Sequence, residues 1–416
     1  MNIKKIPQDY EENDLKFNEE EMTEAKEQMV SFSSIIQSVP DFRNIKARKY
    51  ELSLLLFCLL LTEFKNCRRQ KHRARWIRGR WKWISLYWKE ITKTEAEIPT
   101  SSPSQSTISR ILNGVNLWTL KERYFEARRI QELEKKEAQN INREKNISDI
   151  NHYTTDGKYR KGIVSSKTGR TEGDVAVFNA KTREVVATQF LKDKIGESTS
   201  ARAILKRVGR KIPRGIFTGD AGFTTPKFTE TVISTGHEYL FGFKENSGDV
   251  YQICRDMNWL SSPILFESFD DGHGRKEIRR LKRIALSNSM AKKFNKYSKC
   301  AYLFCIESER TVNGKDTTYE TRYYIGSKGL KEFSAESIAD FIRGHWLQEN
   351  GLHWVKDAIL GEDDSVSMSS RSSRVLSFLK NIVVSVGYSI CKSVQEFVDE
   401  FDSTPRKLTR LLFQLE

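Results

Sequence analysis

At Ile147 the periodicity of this chain changes, and that change limits the folds open to it. Before it, apolar residues recur at helical spacing: Tyr50 to Phe64 is leucine-rich, and Thr107 to Leu112 follows a Ser/Pro cluster that suits a helix start. After it, Ile147 to Thr155, Asp174 to Asn179 and Glu184 to Phe190 read as strands. Ser200 to Val208 then reads as an amphipathic helix, Gly215 to Thr218 as a short strand, Pro226 to Thr235 as a helix and Glu238 to Phe243 as another strand. The order is strand, strand, strand, helix, strand, helix, strand, which calls for a mixed sheet flanked by helices.

A three-strand meander followed by alternating helix and strand is the layout of the RNase H-like fold, which needs one more helix to close. Between Lys244 and about Phe333 lie further strand candidates, Glu277 to Leu286, Ala301 to Ile306 and Thr318 to Ile325, so the closing helix is delayed by a β-rich insertion. It begins near Ser337 and runs through Glu349. The expected fold is α/β, an RNase H-like mixed sheet interrupted by this insertion and preceded by an all-helical module. The expected boundaries are an acidic tail (1–34), a helical module (35–130), a linker (131–146), the catalytic domain in two parts (147–244 and 336–400) around an insertion subdomain (245–335), and a C-terminal tail (401–416).

Charge narrows the partners. The formal net charge is +15, and residues 1–30 carry nine acids against four lysines, so the remainder is more basic than the whole. Such a body attracts polyanions. A membrane is excluded as partner because the longest apolar run, Leu54 to Leu61, falls well short of the roughly 20 residues that a spanning helix needs. No apolar segment follows Met1, which points to the cytoplasm, and for a DNA-binding chain to the nucleoid. Six scattered cysteines without a CxxC pair read as reduced thiols packed as small hydrophobes.

Asp156 and Asp220 stand at the C-terminal ends of expected strands, which places both carboxylates at one edge of the sheet. Paired carboxylates repel and are held by divalent cations, with Mg²⁺ served by a few oxygens plus water and phosphate. A third acid from the closing helix completes a two-ion site (Mg²⁺ or Mn²⁺) able to activate a hydroxyl and stabilise a leaving oxygen. At about 100° per residue, Ile342, His345, His353 and Lys356 fall within about 40° of Glu349, so this acid sits in an ionisable stripe. His345, Glu349 and His353 also have a spacing that zinc could use, but the glutamate is not adjacent to the first histidine as in the HExxH signature.

The run RGHWLQENGLHWVKD (Arg343 to Asp357), followed by Gly361-Glu-Asp-Asp, resembles the C-terminal signature of insertion-sequence transposases of the H-repeat-associated group. Thr155-Asp-Gly-Lys resembles that family's first catalytic segment, and Thr218-Gly-Asp-Ala-Gly-Phe, with Tyr239-Leu-Phe-Gly-Phe-Lys-Glu-Asn beyond, its second. The likeness also takes in Asp271-Gly-His-Gly-Arg-Lys-Glu-Ile-Arg-Arg and the stretch from Pro40-Asp-Phe-Arg to Ser106-Thr-Ile-Ser-Arg, and spans roughly residues 35–395. It implies an RNase H-like catalytic domain that cuts DNA at element ends and joins them to a target, with Asp156, Asp220 and Glu349 as the metal-binding acids, working as a homodimer or larger assembly. Related transposases often place Tyr and Arg seven and four residues before the glutamate and Lys seven after it. Here those positions are Ile342, His345 and Lys356, so Lys356 and, in place of arginine, His345 are expected to hold phosphates. Tyr159-Arg160-Lys161 departs from the small-residue run of the first segment.

Arg68, Arg69, Lys71, Arg73, Arg75, Arg78, Arg80 and Lys82 form an acid-free basic run with Trp76, Trp81 and Trp83 among them. This is the expected DNA-binding surface, with the tryptophans as core anchors. Lys244 in the second segment and Arg275 and Arg279 on an alternating strand are further expected contacts, the latter set against a charged edge that merely discourages strand pairing. Two other readings share these residues: a transposase-derived DNA-binding protein without catalysis, against which the intact acids weigh, and a nuclease that cleaves without rejoining, which the sequence leaves open.

Overall fold

The computed structural model describes residues 19–140, 150–164, 169, 171–191, 196–272, 274–314, 316–364 and 369–415. The start of the acidic segment, residues 141–146 of the expected linker and the first residues of the expected strand at Ile147 lie outside them.

Five helices open the described chain: α1 (Glu19–Gln37), α2 (Leu52–Phe64), α3 (Gln70–Thr92), α4 (Gln105–Gly114) and α5 (Leu117–Asn140). The leucine run makes α2 apolar on all sides and every residue of it is buried, so it forms the centre of a helical core. Burying each leucine contributes about 2 kcal/mol. Ser104 caps α4 by accepting the Thr107 N–H, as the Ser/Pro cluster predicts.

The sheet follows. Strands β1 (Asn151–Val164), β2 (Thr171–Asn179) and β3 (Glu184–Phe190) form the meander. Helix α6 (Glu197–Val208) leads to β4 (Gly215–Gly219), and α7 (Pro226–Ser234) to β5 (Glu238–Gly242); β4 runs parallel to β1, and β5 to β4. The order β3-β2-β1-β4-β5 with these directions is the RNase H-like sheet. Helix α8 (Asp249–Arg255), β6 (Ile264–Gly272), β7 (Arg275–Ala285), α9 (Asn288–Lys293), β8 (Cys300–Val312) and β9 (Thr318–Ser327) make up the insertion. Its strands do not stand apart as a subdomain: β9 pairs with β5 through Leu240, Phe241 and Gly242, extending one sheet to nine strands. A free β5 edge would leave backbone donors and acceptors unpaired, and β9 satisfies them.

The closing segment is α10 (Ala335–Gly344), the single turn α11 (Trp346–Gln348) and two π-helical stretches, Glu349–His353 and Val355–Ile359. Helices α12 (Ser370–Ile390), α13 (Val394–Ser403) and α14 (Pro405–Leu412) complete the chain.

Three expectations of organisation fail here. Residues 19–34 are not a tail, because Met22, Ala25, Met29 and Phe32 form a buried stripe on α1 at spacings of three and four. The helical module is not separate, since its core is continuous with Phe378, Leu379 and Ile382 of α12 and Phe397 and Phe401 of α13. The C-terminal residues are not a tail either: Leu408 and Leu412 of α14 are fully buried in the same core. Among the described residues no single helix is long and apolar enough to cross a membrane; α12 and α13 would qualify only as a pair, and they are bent at 92°. Among the described residues the six cysteines form no disulfide, and four of them are buried.

Candidate active site

Strand register brings the two aspartates together. Thr155 of β1 lies opposite Gly219 of the parallel β4, so Asp156 and Asp220 follow side by side. Each is held by a backbone amide: Asp156 Oδ1 accepts the Gly157 N–H at 2.8 Å, and Asp220 Oδ1 accepts the Gly222 N–H at 2.9 Å where the chain turns out of β4. Across from them, Gln348 donates to the Asp156 and Ala176 carbonyls at 3.4 and 3.3 Å and pins the turn preceding Glu349 onto β1 and β2.

From Glu349 onward the helix is π rather than α. The Trp354 N–H reaches the Glu349 carbonyl and the Leu360 N–H the Val355 carbonyl, five residues back in each case. A wider turn advances less than 100° per residue, so the angular positions expected for an α-helix drift. His353 meets Asp156, its Nδ1 3.5 Å from Oδ2. Lys356 turns away from the cleft: its buried ammonium donates to Ser377 Oγ at 2.9 Å and lies 3.2 Å from Glu362 Oε1. The expectation that Lys356 holds phosphate is therefore overturned, and the widened helix is the reason.

Asp156, Asp220 and Glu349 line one cleft of about 910 Å³, together with His345, Trp346, Lys244, Tyr319 and Arg322. Burial pushes the Asp156 carboxyl up to about 7, and the charges of Asp220, Glu197 and Glu349 add to the rise. Lys244 Nζ, 3.3 Å from Asp220 Oδ2, supplies some compensation. His345 does not bring the charge of an arginine: burial lowers it to about 4, Lys244 adding to the effect against Asp220, so it is neutral at pH 7. Among the described residues its buried Nδ1 has no hydrogen-bond partner.

The donor set suits a hard divalent cation, being carboxylate oxygen whose like charge Lys244 only partly offsets. Among the described residues no three His, Cys, Asp or Glu side chains already stand within common reach of one ion, so the acids share a cleft rather than a finished coordination sphere. Sequence reasoning did not single out Glu197 at the start of α6. A Cβ on Gly157 would stand 2.3 Å from its Oε1, so Glu197 packs on the strand beside Asp156. Only the strand-to-helix connection places it there, and no local motif marks it.

The expected DNA contacts divide. Arg69, Lys71, Arg75, Arg78 and Lys82 are exposed along α3, while Trp76, Trp81 and Trp83 are buried. Arg80 lies over the Trp76 ring with its guanidinium 4.8 Å from the centroid. Arg73 is corrected to a core residue, fully buried and bonded to Glu63 at 2.7 Å. Arg68 is exposed but paired with Asp364 at 2.6 Å, and Arg275 and Arg279 both pair with the buried Glu277. The Gly361-Glu-Asp-Asp signature is likewise occupied internally: Glu362 faces Lys356 and Lys158, Asp363 accepts the Lys161 N–H, and Asp364 holds Arg68.

The family model of the transposase DDE domain matches residues 158–385, more than half of the chain. This chain belongs to the transposase DDE domain family. DNA transposition, with binding and cleavage of DNA, is the function of that family. Over 379 residues this transposase is 23% identical to YncI of Escherichia coli O157:H7, named as a transposase, covering 88% of this chain and 89% of that protein. YhhI of Escherichia coli strain K12, named as an H repeat-associated transposase, is 24% identical over 220 residues, 51% of this chain and 57% of its own length. A solved piggyBac transposase synaptic complex with hairpin DNA aligns with 92% of this chain and 81% of its own at 9% identity and a TM-score of 0.39, too low to carry an argument. The RNase H-like fold follows from the strand order and directions of β1 to β5.

Proposed function

We propose that this transposase cleaves DNA at the ends of a mobile element and transfers the freed 3′ ends to a target, with Asp156, Asp220 and Glu349 as the acids that hold two Mg²⁺ (or Mn²⁺) ions. The observation that carries the reading is the pairing of Asp156 with Asp220 on adjacent parallel strands, in one cleft with Glu349. When bound, the ions would activate the attacking hydroxyl and stabilise the leaving oxygen of an in-line displacement.

The chain's own residues prepare that chemistry. The Gly157 and Gly222 amides each fix one carboxylate oxygen, leaving Oδ2 of each aspartate toward His353 and Lys244 respectively. Trp346 and Tyr319 give the cleft an aromatic wall suited to stacking on bases, and Arg322 lies over the Trp346 ring at 5.6 Å while its charge is paired with Glu320. The exposed face of α3 supplies charge for the flanking duplex. Synapsis of two ends calls for a dimer or larger assembly, and the nucleoid is the place of action.

Labelled element ends incubated with a supercoiled target test the reading. The expected result is covalent joining of the label to the target in Mg²⁺ and none in EDTA. Cleaved ends that never join would instead favour the nuclease.

A further inference from the structure

From the closing segment, His353 reaches the Asp156 carboxylate, its Nδ1 3.5 Å from Oδ2, with both side chains largely withdrawn from solvent. We propose that His353 is a positioning residue of the active site: its imidazole holds Oδ2 of Asp156 by a hydrogen bond from Nδ1–H, so that the carboxylate presents its remaining lone pairs to a divalent cation. The inference rests on the active-site reading above.

Three features of the site support it. The first is how Asp156 is held. Its Oδ1 accepts the Gly157 N–H at 2.8 Å. A carboxylate fixed at one oxygen by its own neighbour can still swing the other, and a donor on Oδ2 removes that freedom. At 3.5 Å the contact stands at the outer limit of a hydrogen bond, and a small rotation of either side chain closes it. Bonds of this kind tighten when a site is filled.

The second feature is the backbone that delivers His353. The Trp354 N–H goes back to the Glu349 carbonyl and closes a π-helical stretch over Glu349–His353. On an α-helix the residue four beyond Glu349 stands about 40° round from it. The wider turn reduces that angle, so His353 comes more nearly into line with Glu349, and it meets Asp156 there. Such turns are rare and recur at functional sites. The same widening carries Lys356 into the core, so one irregularity exchanges a lysine for a histidine beside Asp156.

The third feature is charge. Burial lowers His353 to about 3, with the nearby Lys356 and Lys158 adding to the fall against Asp174 and Glu362, so the ring is neutral at pH 7. A cation bonded to Oδ2 would offset the charge that attracts a divalent ion. A neutral N–H orients the oxygen and leaves its charge available.

Mn²⁺ binding to the full chain, read as loss of the free-ion paramagnetic resonance signal, tests the assignment without relying on turnover. His353→Leu removes the donor at similar volume, and should weaken Mn²⁺ binding about 10- to 100-fold while the metal-free protein melts close to the wild type. His353→Asn keeps an amide N–H where Nδ1 stands and should bind Mn²⁺ close to the wild type. His353→Gln, whose amide extends to the place of Nε2, should resemble His353→Leu. Equal Mn²⁺ affinity in the wild type and His353→Leu, or in His353→Asn and His353→Gln, overturns the proposal. Should His353→Leu melt early, the comparison of His353→Asn with His353→Gln carries the test. Asp156→Asn is the control: if it binds Mn²⁺ as well as the wild type, or the wild type takes up none, the active-site reading fails and this inference falls with it.

Discussion

Lys356 shows how a single side chain can be placed wrongly by periodicity alone. On an ideal α-helix it shares the face of Glu349; on the π-helical stretch it is buried between Glu362 and Ser377. Its role is then to neutralise a carboxylate. Burial would raise the Glu362 carboxyl, but the ammonium groups of Lys356, Lys380 and Lys158 hold it well below the usual range. Lys356→Met should therefore cost about 1–3 kcal/mol, because it removes one of the three ammonium groups that hold that charge, read as a fall in the urea midpoint, and Lys356→Met/Glu362→Gln should recover most of it. A variant that melts like the wild type and only slows cleavage would restore the phosphate-holding role. The sign of the pH effect follows from the same pair. Because the folded value of Glu362 is depressed, its contribution is present above the ordinary carboxyl value of 4.5 and is lost as pH falls below it toward the folded value. The double variant should lose stability less steeply below pH 4.5 than the wild type, measured by denaturant midpoints across the acid range.

At the scale of elements, α3 presents two faces that its composition does not separate. Arg73 points into the core against Glu63, while Arg75 and Arg78 point to solvent. Arg73→Ala should lower the melting temperature sharply, at about 3–5 kcal/mol, whereas Arg75→Ala and Arg78→Ala should leave it unchanged and each reduce the salt slope of DNA binding by about 0.9. Equal thermal losses for all three would deny the division. The strands were readable because β-branched and aromatic runs ending at Asp156 and Asp220 carry a local signal, and the register of β1 with β4 turns that signal into proximity. The π stretches carry no such signal, since their hydrogen bonds depend on packing against β1, β2 and α12. Helix α1 is illegible in the sequence for a different reason: its stripe of Met22, Ala25, Met29 and Phe32 is weak beside the surrounding acids and takes on meaning only with α5 and α12 against it.

In the whole molecule, the first and last helices close one core. Phe64 of α2 packs edge-on to Phe397 of α13 at 5.2 Å between centroids, and Phe57 does the same to Phe413 just after α14 at 5.1 Å. A fragment of residues 35–130 alone would expose that surface. It should fail to give the cooperative melt and dispersed amide spectrum of a folded domain, and a stable, DNA-binding fragment would show that the shared core is dispensable. The same closure ties the turn before α3 to the end of the π-helical stretch that follows Glu349, since Asn66 and Arg68 both donate to the Ile359 carbonyl, so the basic face of α3 has a fixed position relative to the three acids. Asp156, Asp220 and Glu349 are proposed to act as one site. The most direct test is metal-dependent cleavage by Asp156→Asn, Asp220→Asn and Glu349→Gln at saturating DNA, with binding and melting followed in parallel. Each variant should bind DNA and stay folded while cleavage falls by at least about 100-fold in either Mg²⁺ or Mn²⁺; cleavage at the wild-type rate by any one of them would contradict the account.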